Sequence, residues 1–145
     1  MTAAVKAHLP AFVVVAPLFV SFVLSPFAKR LRLVETLVIA VEALGLLGAA
    51  YLAGVILAGQ GVPIIYSVGG WPAPWGIELW VGNLGVFFLL MIAGVMLPVS
   101  LYAFGNLTEE VGDAERSTRF FVLYLLLTGA LAGMAITNDL FNVFV

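Results

Sequence analysis

Residues 33–58 read LVETLVIAVEALGLLGAAYLAGVILA. About 20 apolar residues in a helix cross a hydrocarbon core of about 30 Å. This stretch exceeds that length, and its only charged side chains are Glu35 and Glu42. A run of this kind reads as a membrane-spanning helix. The two carboxylates inside it then need an explanation, because ionisable groups within a bilayer are costly and mark functional positions.

The rest of the chain fits the same solvent. It has 145 residues, of which 63% are hydrophobic and 10% charged, and a mean hydropathy of +1.18. Soluble domains average about 45–50% apolar and about 25% charged residues. A chain this short leaves too much surface exposed to hide such an excess in a water-soluble core. Three further stretches pass the length test: residues 9–28, 79–104 and 120–137. A fifth begins near Asp139 and covers about two turns up to Val145. The predicted fold class is therefore an all-α integral membrane protein, with four transmembrane helices and the start of a fifth. The first stretch is read as a retained helix and not a cleaved signal, since its basic cluster follows the apolar run instead of preceding it. Pro17 lies inside that helix and Pro98 inside the third. Membrane helices tolerate such interruptions when neighbours satisfy the freed carbonyl.

Lysine and arginine set the expected orientation. Lys29, Arg30 and Arg32 lie between the first two spans, and Arg116 and Arg119 between the third and fourth. By parity these loops share a side. The connection over residues 59–78 has no basic residue. Basic loops favour the cytoplasm, which puts residues 29–32 and 105–119 inside, in a plasma-membrane protein with its N-terminus outside. Lys6 is the one dissenting charge. Within the outer loop, PIIYSV at 63–68 and GIELW at 76–80 are β-prone and flank the turn signal Gly69–Gly70, predicting a small extracellular hairpin. Trp71, Trp75 and Trp80 sit where interfacial indoles are expected. Ser117 and Thr118, in STRF, are read as the cap of the fourth helix.

Several functions are excluded or left without support. The net charge of -2 gives no reason to expect nucleic acid, and with no cysteine there is neither a disulfide nor a thiolate metal site. No cofactor-binding pattern is visible. Gly69–Gly70 is not a phosphate loop, because no lysine follows and no helix opens there. His8, the single histidine, reads as an interfacial side chain. Gly129 with Gly133, and Ala50 with Gly54, have the four-residue spacing of close helix packing.

Three carboxylates remain as proton-path candidates. Glu42 lies deepest. Glu35, seven positions earlier, shares its helical face; the alternative is an interfacial residue paired with Arg32. Asp139 opens the fifth stretch, where a carboxylate also serves as an ordinary helix cap. Asn142 follows one turn later and can hydrogen-bond between helices.

Two stretches carry a resemblance. VGGWPAPWGIELWVGNLGVFFLLM, starting at Val68, and FFVLYLLLTGALAGMAITNDLFNVFV, starting at Phe120, resemble the N-terminal part of antiporter-like proton-translocating subunits. The pattern is nearest to the D subunit of Mrp-type multisubunit cation/proton antiporters and is shared by subunits of complex I and membrane-bound hydrogenases. The resemblance implies three leading helices (9–104), the first helix of the antiporter repeat (120–137) and the beginning of the next (139–145). It also implies a glutamate just past the NDLFNVFV run and a lysine two helices on, which exchange a proton as their pairing changes. Neither falls within residues 1–145, so no catalytic residue is assigned. Asn83 stands where the family usually has aspartate, and Asn138 where it often has glycine.

The implied role is a transporter subunit and not an enzyme in its own right. It would take part in exchange of protons for a monovalent cation, sodium first, alongside other antiporter subunits in the bilayer. The alternative is a proton-pumping membrane subunit of an NADH-quinone oxidoreductase or hydrogenase, with redox centres on other chains. The short fifth stretch is read as an interruption, so that the chain is either a fragment or one half of a split subunit, inactive alone.

Overall fold

The computed structural model describes residues 3–27, 30–71 and 75–138, with side chains from His8 onward. Asp139, Asn142 and the expected start of a fifth helix at 139–145 lie outside the described residues, as does Lys29. The elements are α1 (Ala3–Leu24), α2 (Leu31–Ala58), β1 (Ile64–Ser67), β2 (Glu78–Val81), α3 (Asn83–Ala103), the one-turn α4 (Leu107–Val111) and α5 (Ala114–Ile136). Helices α1, α2, α3 and α5 are each long and apolar enough to cross a membrane.

Those helices point large apolar side chains outward as well as inward. Phe19, Phe22, Leu44, Leu57, Phe87 and Leu123 are all exposed. Water would penalise a surface of this kind, whereas lipid tails match it. Helical pairing satisfies most of the backbone within each span, as a membrane requires, with Pro10 and Pro17 in α1 and Pro98 in α3 as the interruptions. The protein is a multi-pass membrane protein.

Helix boundaries differ from the expected ones in several places: α1 runs from Ala3 to Leu24 where 9–28 is expected, and two other starts have a clear local cause. The fourth span begins at Ala114, six residues before Phe120, because Asp113 caps it: its Oδ1 accepts from the Arg116 backbone N–H at 2.8 Å. Ser117 is not the cap. Its side chain is buried inside α5, and its hydroxyl donates to the Asp113 carbonyl at 2.9 Å. The third helix begins at Asn83 and not at Leu79, since 79–81 are taken by the hairpin.

That hairpin is present. Strands β1 and β2 pair antiparallel, Ile64 opposite Val81 and Ser67 opposite Glu78. Alternation sorts the faces. Ile64, Tyr66, Leu79 and Val81 pack into the bundle, while Ile65 and Trp80 stay exposed. At the turn Gly69 and Gly70 both have positive φ, 70° and 77°, a region glycine enters without steric cost. The hairpin also gathers distant parts of the chain. The His8 Nδ1 lies 2.9 Å from the Tyr66 hydroxyl. Thr137 bridges Leu79, and the Asn138 N–H donates to the Glu78 carbonyl at 3.1 Å.

Two buried clusters form the core. One lies at the hairpin end and includes Leu52, Ile56, Val81, Leu89, Ala132 and Ile136. The other lies toward the basic loops and includes Leu24, Val34, Val38, Met96, Phe121 and Leu125. Small residues allow the close approaches. A Cβ on Gly129 would meet Leu18 Cγ at 2.6 Å, and one on Gly48 would meet Val13 Cγ2 at 3.0 Å, so α1 packs against both α5 and α2 at glycines. Gly133 serves the same face, where an added Cβ would lie 3.4 Å from Val14 Cγ1. Ala50 and Gly54 do not act this way here. Both are exposed, and a Cβ on Gly54 meets nothing within 4 Å. Their face of α2 turns away from the bundle, because the buried stripe of that helix runs through Gly48, Ala49, Leu52 and Ala53.

Candidate functional site

Glu42 is 2% exposed. Helix α2 starts at Leu31, which sets Glu42 about 17 Å along its axis at about 1.5 Å per residue. It sits between the two buried clusters: Val38, one turn before it, belongs to one, and Ala49, two turns after it, to the other. The same break recurs on α5, where Thr128 separates Leu125 from Ala132, and on α3, where Ala93 lies between Leu89 and Met96. The bundle thus has a waist at which the apolar core is interrupted.

The waist is polar on one side and hollow on the other. The Thr128 hydroxyl lies 2.9 Å from Glu42 Oε1 and 3.1 Å from the Tyr124 carbonyl oxygen of its own helix. The Tyr124 hydroxyl donates to the Met96 carbonyl and so ties α5 to α3. A cavity of about 290 Å³ opens beside Glu42 and Thr128. Its other walls are apolar: Leu9, Val13 and Pro17 from α1, Gly45 from α2, Leu89 and Ile92 from α3, with the exposed Phe12 and Leu44 at the rim where it opens at the bundle surface. No basic side chain lines it among the described residues.

Glu35 is equally buried, at 1%, but its surroundings differ. Its Oε1 accepts the Gly105 backbone N–H at 2.9 Å, and its Oε2 faces Arg32 Nη1 at 3.5 Å. Arg32 in turn stacks on the Phe104 ring, with its guanidinium carbon 5.0 Å from the centroid. Glu35 therefore holds the start of α2 to the turn after α3. Both of its oxygens are occupied, whereas Oε2 of Glu42 has no hydrogen-bond partner among the described residues. Heptad spacing puts the two carboxylates on one face, but they do different things there.

Thr128 does not stand out in the sequence. The available signal is that Tyr124 and Thr128, four apart, are the only polar side chains between Phe120 and Ile136. Among the described residues no group of three or more histidine, aspartate or glutamate side chains is arranged to hold a metal.

No protein-family model matches the sequence. Individual relatives do. The chain is 34% identical, over 96% of its length, to the N subunit of the NADH-quinone oxidoreductase of Desulforudis audaxviator, of which it covers 27%. It is 32% identical, over 95% of its length, to the D subunit of a probable K(+)/H(+) antiporter of Rhizobium meliloti, of which it covers 25%. It is also 31% identical, over 91%, to the D subunit of the Na(+)/H(+) antiporter of Bacillus subtilis, covering 26% of that protein. The sequence corresponds to the N-terminal portion of an antiporter-like subunit. Solved structures carry the same relationship. A chain of the Mrp complex from Dietzia sp. DQ12-45-1b superposes with a TM-score of 0.82 at 26% identity, over 99% of this chain and 25% of that one. A chain of the membrane-bound sulfane sulfur reductase, an archaeal respiratory membrane complex, gives 0.81 at 29% identity, over 93% of this chain and 27% of that one. This antiporter-like chain spans about a quarter of the length of these relatives.

Proposed function

We propose that this chain contributes the leading helices of an antiporter-like subunit that moves protons across the plasma membrane in exchange for a monovalent cation, within a multisubunit complex. The observation that carries this reading is the match over 99% of the chain to a structure of an Mrp complex. Sodium is the favoured cation, by analogy with the Bacillus subtilis relative named for Na(+)/H(+) exchange. The basic loops face the cytoplasm, and the hairpin faces outward. Residues 9–104 act as a leading three-helix unit and 120–137 as the first helix of the transporting repeat. Glu42 is the residue best placed to join a proton route, since among the described residues it alone combines deep burial, a hydroxyl partner and an adjoining cavity. Glu35 is assigned to holding the fold. Asp139 stays a candidate for the outer mouth of the route. The four helices alone do not exchange ions.

A second reading has its own support in the 34% identity to an NADH-quinone oxidoreductase relative. There the chain would belong to a membrane arm powered by redox chemistry on other chains. One experiment separates the two. The gene is deleted in its host, and inverted membrane vesicles are assayed for sodium-driven proton exchange and for NADH-driven acidification. Loss of the first alone supports the antiporter. Loss of the second alone supports the redox-driven complex. Retention of both overturns the proposal.

A further inference from the structure

We propose that Glu42 and Thr128 form a proton-exchange site at the waist of the helical bundle, with the cavity beside them as its water-access chamber. The proposal deepens the reading above and rests on it only for the use to which the proton is put.

The donor set points to a proton and not a metal cation. Hard cations bound through oxygen collect a full shell, about six to eight ligands for Ca²⁺. Here there is one carboxylate, one hydroxyl and an otherwise apolar wall. A proton needs only a single oxygen. Glu42 Oε2 is such an oxygen: the side chain is buried and lines the cavity, and this atom has no hydrogen-bond partner among the described residues. An unpaired buried acceptor is expensive, and a proton or an anchored water relieves it. The cavity has about 290 Å³, well above the roughly 10–15 Å³ of such space that one water needs. Several molecules therefore fit, although an apolar chamber retains only those that reach polar partners, here Glu42 and Thr128.

Thr128 gives the site two arrangements. Its hydroxyl has one hydrogen and two acceptors in reach, Glu42 Oε1 and the Tyr124 carbonyl oxygen. With Glu42 ionised, the hydrogen goes to the carboxylate, because bonds to charged acceptors are the stronger ones. With Glu42 protonated, the hydrogen is free to turn back to the Tyr124 carbonyl. Loading is a simple transfer: a hydronium in the chamber gives one proton to Oε2, an O–H bond forms on the carboxyl, and neutral water is left. Unloading is the reverse. Thr128 is thus a positioning residue for the exchange.

The electrostatic surroundings are simple. From α5, Tyr124 is the titratable neighbour, and its hydroxyl is engaged by Met96. Helices α1 and α3 present only apolar side chains to the chamber. On α2 itself, Glu35 is two turns away and is held by Gly105 and Arg32. Among the described residues no cation is in place to fix Glu42 permanently in its charged form.

The test is infrared spectroscopy of the chain in phosphatidylcholine nanodiscs, reading protonated-carboxyl bands as a function of pH in H₂O and D₂O. The expected result is one band that titrates, shifts in D₂O within the mixing time and disappears in Glu42→Gln. It should move in Thr128→Val and return in Thr128→Ser, while Glu35→Gln leaves it in place. Replacing sodium by choline should not change it. A Glu42 band that neither titrates nor exchanges would identify a sealed structural carboxyl and overturn the proposal. Displacement of the band by sodium would overturn it in favour of a cation site, as would indifference to Thr128→Val for the role of the hydroxyl. Should Glu42→Gln not fold, the two Thr128 variants and the D₂O shift still decide. Loss of the antiporter reading in the host assay, with this band intact, would leave the site standing.

Discussion

The backbone N–H of Gly105 donates to the carboxylate of Glu35 at 2.9 Å, across a gap of 70 residues in sequence. Gly105 adopts a positive φ of 76° in the turn that leaves α3, so its N–H is directed by the turn and not by a helix. Glu35 is 1% exposed and supplies its acceptor.

Glu35→Ala is therefore expected to destabilise the fold by about 1–3 kcal/mol, the range for losing a hydrogen bond to a charged group. Glu35→Gln keeps a carbonyl oxygen at the same place and should cost less. Arg32→Ala should cost under about 1 kcal/mol, since the arginine side chain is 74% exposed and exposed ion pairs contribute little. Denaturant unfolding of the chain in micelles ranks the three. An Arg32→Ala effect as large as that of Glu35→Ala would refute the assignment.

The glycines give a second contrast. A Cβ at Gly129 collides with Leu18 at 2.6 Å, while Gly54 has open space. Gly129→Val should cost about 1–3 kcal/mol by overpacking the α1–α5 contact, and Gly54→Ala should be close to neutral. Thermal unfolding in nanodiscs reads both. Equal effects at the two positions would mean that α1 and α5 are not packed as described.

Asp113 caps α5 through the Arg116 N–H at 2.8 Å. Asp113→Ala is expected to lose about 1 kcal/mol, and Asp113→Asn only a small part of that. Hydrogen exchange at the first turn of α5 should rise in the alanine variant and hardly change in the asparagine one. Protection unchanged in both would move the cap elsewhere.

Glu42 borders a cavity, and the Thr128 hydroxyl has the Tyr124 carbonyl as a second acceptor, so an apolar side chain of similar volume at 42 strands no donor. Glu42→Met should therefore unfold at the same temperature as the parent chain or higher. Thr128→Val, which leaves Glu42 without its donor, should lower stability by about 1–3 kcal/mol. A large loss in Glu42→Met would make Glu42 a structural residue first.

Much of the architecture was legible in the sequence because lipid imposes a length rule. Four apolar runs, two basic loops and a β-prone insert with paired glycines sufficed to place four long helices and a hairpin. The resemblance carried by the stretches from Val68 and Phe120 led to the same antiporter-like subunits that the relatives and solved structures represent. Boundaries were less legible. The start of α5 depended on whether Asp113 or Ser117 found a free N–H, and hydropathy does not register caps.

The difference between the two carboxylates of α2 was only partly legible: depth set Glu42 apart and Arg32 offered Glu35 a partner, but neither Gly105 nor Thr128 could be read as a contact. In sequence, Glu35 and Glu42 are two carboxylates on one helical face, and spacing alone fixes that much, because 3.6 residues complete a turn. Their partners come from elsewhere in the chain. Gly105 reaches Glu35 only because α3 ends beside the start of α2, and Thr128 reaches Glu42 only because α5 crosses α2 at the waist. Composition determines that these helices are apolar enough to enter a membrane, but not which stripe of each is buried, because large apolar side chains lie on every face. Which stripe meets which is settled by long-range packing, at glycines such as Gly129 and Gly48 that let backbones come close. That packing leaves one carboxylate fully satisfied and the other facing a cavity with an oxygen to spare.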